Sequence, residues 1–267
     1  MNDAIRLNMP EAEYHSHPAL SSTQARLLLD SPAKYKYALT HPQEHKDAFD
    51  LGTAVHSKVL GVGATAVVLD FPDMRTKAAR EARDEARAAG QIVLSAIDMA
   101  KVDGMAEAVL AHPEARQVLE SIEGREVSLF ADVEDVAVRA RFDIYGGNRA
   151  ADLKSARDAS PKGFNATVGR YGYFIQDRWY DEAHQAITGT PLESFHFLVV
   201  ESTAPYLVAV YELDYMWEDL AKERTARARE LYKQCAATDT WPGYQSATLT
   251  PPTWAVFENE EEEIQIS

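Results

Sequence analysis

The sequence predicts a mixed α/β fold: a mixed central sheet with helices on both faces. Three observations lead there. Residues 125–155 read as three successive strands joined by the turn signals Glu134-Asp135 and Gly147-Asn148, a meander of the kind short turns between strands produce. Amphipathic helical segments precede and follow the meander, so helices are available to cover both faces. Two apolar strand-like runs, Phe195 to Val200 and Tyr206 to Leu213, extend the sheet further along the chain.

The elements follow in order. Met1 to Glu13 carries no strong pattern. Ser21-Ser22-Thr23-Gln24 before Ala25, Leu27, Leu28 and Leu29 predicts a capped helix ending near Asp30-Ser31-Pro32. Ala33 to Leu39 is basic and aromatic, suited either to lying along a nucleic-acid backbone or to docking its tyrosines on the core as a helix. Phe49 to Leu60 predicts a buried helix with Gly52 and His56 on one face at i, i+4. His56 reads as a hydrogen-bonded core histidine, or as a site residue if the fold brings it to Asp143. Val67-Val68-Leu69 predicts a short strand, and Thr76 to Ala89, rich in Arg, Glu and Ala, a solvated helix. Ile92 to Leu110 and Pro113 to Ile122 predict two more helices, broken at His112-Pro113.

Beyond the meander, helices are expected at Pro161 to Val168 and Gly172 to Ile187. The second places Tyr173, Gln176 and Tyr180 on one side, where the polar Gln176 needs a partner. A long charged helix, Tyr215 to Ala237, closes the domain.

The 267 residues are 46% hydrophobic and 26% charged, which suits one soluble domain, 1–257, followed by an acidic tail, 258–267, opening on Glu258-Asn259-Glu260-Glu261-Glu262-Glu263. A net charge of −15 argues against a nonspecific nucleic-acid binder held by a basic surface, but leaves room for an enzyme with a local basic channel. The single cysteine, Cys235, excludes an internal disulfide and a Cys-cluster metal site, and its helical surroundings suggest a packed thiol. No run of about eighteen apolar residues appears and the N-terminus lacks a signal-peptide pattern, so a cytoplasmic protein without membrane contact is expected.

The chemistry is expected between Arg139 and Ser155. If Gly147-Asn148 is a two-residue hairpin loop, Asp143 lies opposite Asp152 and Arg141 opposite Lys154. A three-residue loop would instead send Asp143 to the other face. Asp152 and Lys154 share a face, while Leu153 turns into a core. Two adjacent carboxylates repel, and one pKa rises unless a cation lies between them, so the pair suits a divalent metal with oxygen ligands. A lysine beside a metal-bound water can orient it, or take its proton if its own pKa is depressed. An isolated Asp-x-Lys is also common on solvated strands. Glu126, at the start of the meander, is either a surface acid or a further site carboxylate. Arg139, Arg141, Lys162, Arg170 and Arg178 cluster in sequence about the site and are candidates for the basic channel.

Seven segments in this order resemble the RecE-like exodeoxyribonucleases (exodeoxyribonuclease VIII) of the PD-(D/E)XK nuclease superfamily. They are Ser31-Pro32-Ala33-Lys34-Tyr35, Gly52-Thr53-Ala54-Val55-His56, Glu126-Val127-Ser128, Arg141-Phe142-Asp143, Asp152-Leu153-Lys154, Gln176-Asp177-Arg178-Trp179-Tyr180, and Trp241-Pro242 with Pro252-Thr253-Trp254-Ala255. The resemblance covers a nuclease core. Phe142 stands where the superfamily pattern has proline, and Asp152 where it often has Glu.

The resemblance implies a restriction-endonuclease-like core and a metal site of His56, Asp143, Asp152 and the Leu153 carbonyl, filled by Mg²⁺ with Mn²⁺ able to substitute. It implies that Lys154 serves the attacking water, that Glu126 adds an acid, and that Gln176 and Tyr180 form the family's Gln-x-x-x-Tyr element. Arg141 and Arg178 are expected to support the site or contact DNA. The implied activity is digestion of linear double-stranded DNA from the 5′ end, leaving 3′ single strands for recombination. The implied partners are duplex ends and a single-strand annealing recombinase, in a phage or prophage setting, with a homo-oligomer enclosing the duplex. A single-strand-preferring RecB-like nuclease and a catalytically silent DNA-end binder stand as alternatives.

Overall fold

The structure is a computed structural model that describes residues 4–41, 47–71 and 75–252, with the side chains of 47–50 outside that description. The acidic tail, Thr253-Trp254-Ala255 and the side chains of Phe49 and Asp50 therefore lie outside the described residues.

The chain runs β1 (Ile5–Arg6), α1 (Glu11–Ser16), β2 (Leu20–Ser21), α2 (Ser22–Asp30), α3 (Pro32–Ala38), α4 (Asp47–Leu60), β3 (Ala66–Val68), α5 (Lys77–Ala88), β4 (Ile92–Leu94), α6 (Ala96–Ala111) and α7 (Pro113–Ser121). The meander follows as β5 (Gly124–Val133), β6 (Val136–Gly146) and β7 (Arg149–Ala156), then α8 (Pro161–Tyr171), α9 (Tyr173–Thr188), β8 (Ser194–Glu201), β9 (Val208–Tyr211) and α10 (Tyr215–Thr238). The main sheet has the order β1-β5-β6-β7-β8-β9, with β2 pairing β6 off that path. The β7–β8 and β2–β6 pairs are parallel and the rest antiparallel, so the sheet is mixed.

Both turns of the meander are two residues long. Val133 pairs with Val136 across Glu134-Asp135, whose φ angles of 49° and 63° are those a twisted hairpin turn demands. Gly146 pairs with Arg149 across Gly147-Asn148, and Gly147 takes the positive φ of 64°.

Two cores lie against the sheet, one on each face. Phe142, Trp179 and Phe197 pack with α2, α8, α9 and α10 on one side. Val55, Met105, Ile144, Leu153 and Leu198 pack with α4, α6 and α7 on the other. Alternation along β6 slips at Asp143: Phe142 and Tyr145 both join the first core, whereas Ile144 joins the second. The neighbouring strand is distorted at the same level, since Glu126 of β5 has φ of 50° and breaks the ladder between Arg125↔Ile144 and Val127↔Phe142.

The start of α2 is fixed by a capping box, with Gln24 N–H donating to Ser21 Oγ at 3.3 Å and Ser21 N–H donating to Gln24 Oε1 at 2.9 Å. Ala33 to Leu39 forms the helix α3, which buries Tyr35 against Trp241 and leaves Tyr37 exposed. The unpatterned N-terminal stretch gains structure, and one expectation, that of a helix from Ile92, needs correction. Residues 5–16 hold a short strand and a helix, and Leu20–Ser21 adds a second short strand; two-residue strands have no period to read. The segment 92–94 is strand rather than helix, pairing in parallel with β3, and the following helix starts after Ser95, whose Oγ accepts from Asp98 N–H at 3.0 Å. Among the described residues no helix is long and apolar enough to cross a membrane.

Candidate active site

The site lies where two strands part. The β6–β7 ladder runs only from Gly146↔Arg149 to Ile144↔Ala151. Beyond that point β6 stays with β5, while β7 follows β8 in parallel as far as Ala156↔Glu201. Asp143 and Asp152 occupy the next register position, at the mouth of the opening, and Leu153 N–H donates to Asp143 Oδ2 at 2.8 Å in place of a strand-to-strand bond. Leu153 itself is fully buried in the second core.

Asp152 is 3% exposed. The ammonium of Lys154 lies against its Oδ2 as a close ion pair, and no other donor reaches that buried oxygen. Gln176 of α9 supplies the partner that its position demanded. Its Nε2 donates to Asp152 Oδ1 at 2.5 Å and its Oε1 accepts from Lys154 Nζ at 3.0 Å. Lys154 Nζ also stands 4.6 Å from the ring centroid of Tyr173. From the opposite face, His56 Nδ1 of α4 comes within 3.3 Å of Asp143 Oδ2. Gly52, one turn earlier, faces Ser155: an added Cβ there would meet Ser155 Oγ at 3.7 Å, an ordinary contact.

The electrostatics follow from this crowding. Burial, then the charge of Asp152, push the Asp143 carboxyl up to about 7, against the opposing pull of His56 and Lys154. Burial alone would lower the Lys154 ammonium, but Asp152, Tyr173 and Asp143 together outweigh it and hold its pKa above the ordinary value. Lys154 is therefore a fixed cation, able to orient a water or offset developing charge. It is not a depressed amine ready to take a proton.

Other expected residues fall at varied distances from this centre. Glu126 sits at the register position facing Asp143, and its Oε2 accepts from Arg141 Nε at 2.5 Å. Arg141 also donates to the Met9 carbonyl at 3.0 Å, and Arg139 to that of His17. Both guanidinium groups stack on the ring of Tyr14, 5.0 and 5.5 Å from its centroid. These two arginines hold the N-terminal segment to β6 and do not face Lys154, because the strands have already separated. Tyr180 is buried against Phe142, its phenol pushed well above the ordinary range by burial.

Arg178 turns away from the site to Asp181 and Glu182, both at 2.9 Å. It lines a cleft between α9, α10 and the β8–β9 edge that is also lined by Asp177, Asp181, Glu212 and Glu218. That acidic lining does not suit a polyanion; burial, then the charges of Asp181 and Glu218, lift Asp177 to about 8. Lys162 and Arg170 are exposed on α8. Tyr173 and Arg26 are neighbours of the site that the sequence reading did not assign to it. Tyr173 could have been found from its shared face with Gln176, and Arg26 from its place in the otherwise apolar run Ala25 to Leu29.

Two carboxylates are oxygen donors that fit a hard divalent ion, and an imidazole stands beside one of them. They do not form a ready-made shell. Among the described residues no group of three or more His, Cys, Asp or Glu side chains converges closely enough to hold an ion. Asp143 and Asp152 are the residues that would hold one.

A sheet parting at two acids and a lysine, with helices on both faces, defines the PD-(D/E)XK type of nuclease fold. The chain belongs to the family described as PDDEXK-like domain of unknown function (DUF3799), whose model matches residues 21–248. Among solved structures, a candidate exonuclease from Eubacterium rectale shares 11% identity, with a TM-score of 0.64 over 95% of this chain and 98% of that one. A phage-related exonuclease from Haemophilus somnus 129PT matches at 11% identity over 84% of this chain and 97% of that one, with a TM-score of 0.36. LHK-Exo in complex with dAMP matches at 11% identity over 84% and 93%, with a TM-score of 0.33. No curated protein matches the chain.

Proposed function

We propose that this protein is a metal-dependent DNA exonuclease of the RecE-like kind, hydrolysing linear duplex from the 5′ end and leaving a 3′ single strand for recombination. The observation that carries the reading is the convergence of Asp143, Asp152 and Lys154 at the parting of β6 and β7. In this reading Asp143 and Asp152 hold Mg²⁺, with His56 and the Leu153 carbonyl as further ligands. A divalent ion bound there would polarise the scissile phosphate and lower the pKa of its water.

The chain's own groups do the rest. Asp152 and Gln176 fix Lys154 from two sides, so its charge is positioned before substrate arrives. A divalent cation held there would offset the burial and the Asp152 charge that raise the Asp143 carboxyl, and so would favour its ionised form. Glu126, tied to Arg141, adds negative potential behind Asp143 and braces the distorted strand. Tyr180 packs its ring against Phe142 and Phe195 in the core beside the site.

An acidic chain of net charge −15 disfavours loose binding along duplex interiors, which supports an end-dependent enzyme. A closed homo-oligomer around the duplex, a single-strand annealing partner and a cytoplasmic setting belong to the same reading. Blunt linear duplex labelled separately at each end, incubated with Mg²⁺, is expected to lose its 5′-labelled nucleotides first while closed circles stay intact. Nicking of closed circles at the linear rate, or no hydrolysis with either Mg²⁺ or Mn²⁺, would overturn it.

A further inference from the structure

Arg26 of α2 crosses the junction between α8 and α9. A Cβ placed on Gly172, which carries φ of +66° there, would stand 2.7 Å from Arg26 Cδ. The guanidinium finds no carboxylate among the described residues. Nη2 reaches only Thr23 Oγ1, at 3.5 Å, and Nε is buried with no acceptor. Other half-buried arginines differ: Arg141 has Glu126, and Arg125 has the Leu119 and Gly124 carbonyls. Nε of this half-buried cation therefore lacks an acceptor, while Nη2 lies at the surface, where an anion arriving from outside can reach the guanidinium.

Beside Arg26 lies an aromatic step leading away from the site. Tyr173 carries Lys154 over its ring, and Tyr171 stacks beside Tyr173 with centroids 6.0 Å apart and planes within 27°. Tyr171 is 53% exposed, so its outer face is open to solvent. Arg170 is exposed next to it. This group of cations and rings stands out in a chain of net charge −15.

We propose that Arg26, Tyr171 and Tyr173 form a subsite for the nucleotide adjoining the cleaved phosphate. Arg26 takes a backbone phosphate and Tyr171 stacks the base. Aromatic platforms of this kind stack the bases of single strands, so the subsite suits a strand separated from its complement at this point. The inference rests on the nuclease reading and adds to it the path of the cleaved strand.

The test uses the full chain, a short oligothymidylate bearing a fluorophore, and a second oligonucleotide carrying 2-aminopurine. In EDTA, Arg26→Gln and Tyr171→Ala are expected to weaken binding about tenfold each, within the range base stacking and phosphate contacts provide. Arg26→Lys and Tyr171→Phe should recover most of it. Quenching of 2-aminopurine should appear with wild type and vanish with Tyr171→Ala. Under Mg²⁺ both weakened variants should raise KM and hold kcat within about twofold.

Tyr171 is exposed, so its variants decide the matter even if Arg26→Gln fails to fold. Unchanged affinity, quenching and KM in the Tyr171→Ala protein would overturn the subsite, as would failure of wild type to bind the oligonucleotide. If wild type cuts duplex ends and the variants match it, the subsite falls and the nuclease reading stands. If wild type binds through these residues and hydrolyses nothing, the subsite stands and the nuclease reading falls.

Discussion

Leu153 and Asp143 are joined by a backbone-to-carboxylate hydrogen bond of 2.8 Å, and that bond marks the place where the β6–β7 ladder stops. The amide that would have continued the sheet instead orients an acid. Asp143 is thereby held at the register level of Asp152, and the repulsion between them is built into the backbone.

The two acids and the lysine separate in a mutational test. Asp152→Asn removes a charge that a divalent ion needs, and is expected to weaken metal binding and abolish cleavage. Lys154→Ala should leave metal and DNA binding nearly intact, while turnover falls by about 10²- to 10⁴-fold. Calorimetry of Mn²⁺ binding beside a cleavage assay reads both. Wild-type turnover in Lys154→Ala would remove the lysine from the mechanism.

The raised Asp143 pKa makes a prediction for stability without metal. Its ordinary value is 3.8 and the folded value is about 7, so between those limits the folded state holds more protons than the unfolded. Stability contributed by this group is full below about pH 4 and falls as pH rises towards 7. In EDTA, urea unfolding at pH 5 and pH 8 should therefore differ more in wild type than in Asp143→Asn, by roughly 2–4 kcal/mol. Parallel pH profiles for the two proteins would contradict the burial and repulsion described.

Away from the site, Arg229 of α10 is buried between Glu182 and Glu134, and Thr225 donates to the same Glu182 at 3.0 Å. Removing the cation takes one charged partner from Glu182, which keeps Arg178 and Thr225, so Arg229→Ala should cost about 1.5–3 kcal/mol. Cleavage by the folded fraction should be unchanged. A midpoint in urea equal to wild type would show the network to be dispensable.

Gly104 in α6 packs directly beneath the ring of Tyr206, and a Cβ there would overlap it. Gly104→Ala should destabilise by about 1–3 kcal/mol through overpacking, despite alanine's better helix propensity. Tyr206→Ala in the same chain should recover part of the loss, which a double-mutant cycle would measure.

The meander was legible because its turns are unambiguous: Glu134-Asp135 and Gly147-Asn148 each fix a register, and register fixes which side chains share a face. The geometry among Asp143, Asp152 and Lys154 follows from that local pattern. The parting of the strands was not legible, since it depends on β7 preferring β8, a partner 45 residues further along whose parallel pairing no local pattern encodes. Reading Arg139 and Arg141 as channel residues failed for a related reason. Their acceptors, the carbonyls of His17 and Met9, belong to backbone that carries no side-chain signal. Gln176 could be expected to need a partner, but not which one.

His56 reaches the acids from the helical layer on one face of the sheet and Gln176 from the layer on the other. The hairpin bearing Asp143, Asp152 and Lys154 is local in sequence and can form early, before either layer docks. A half-folded chain would then hold the acids without the residues that set their charge and aim. On the proposed function, competence to cut would come only with the last docking event, and loosening of either layer would switch it off well before the sheet itself comes apart.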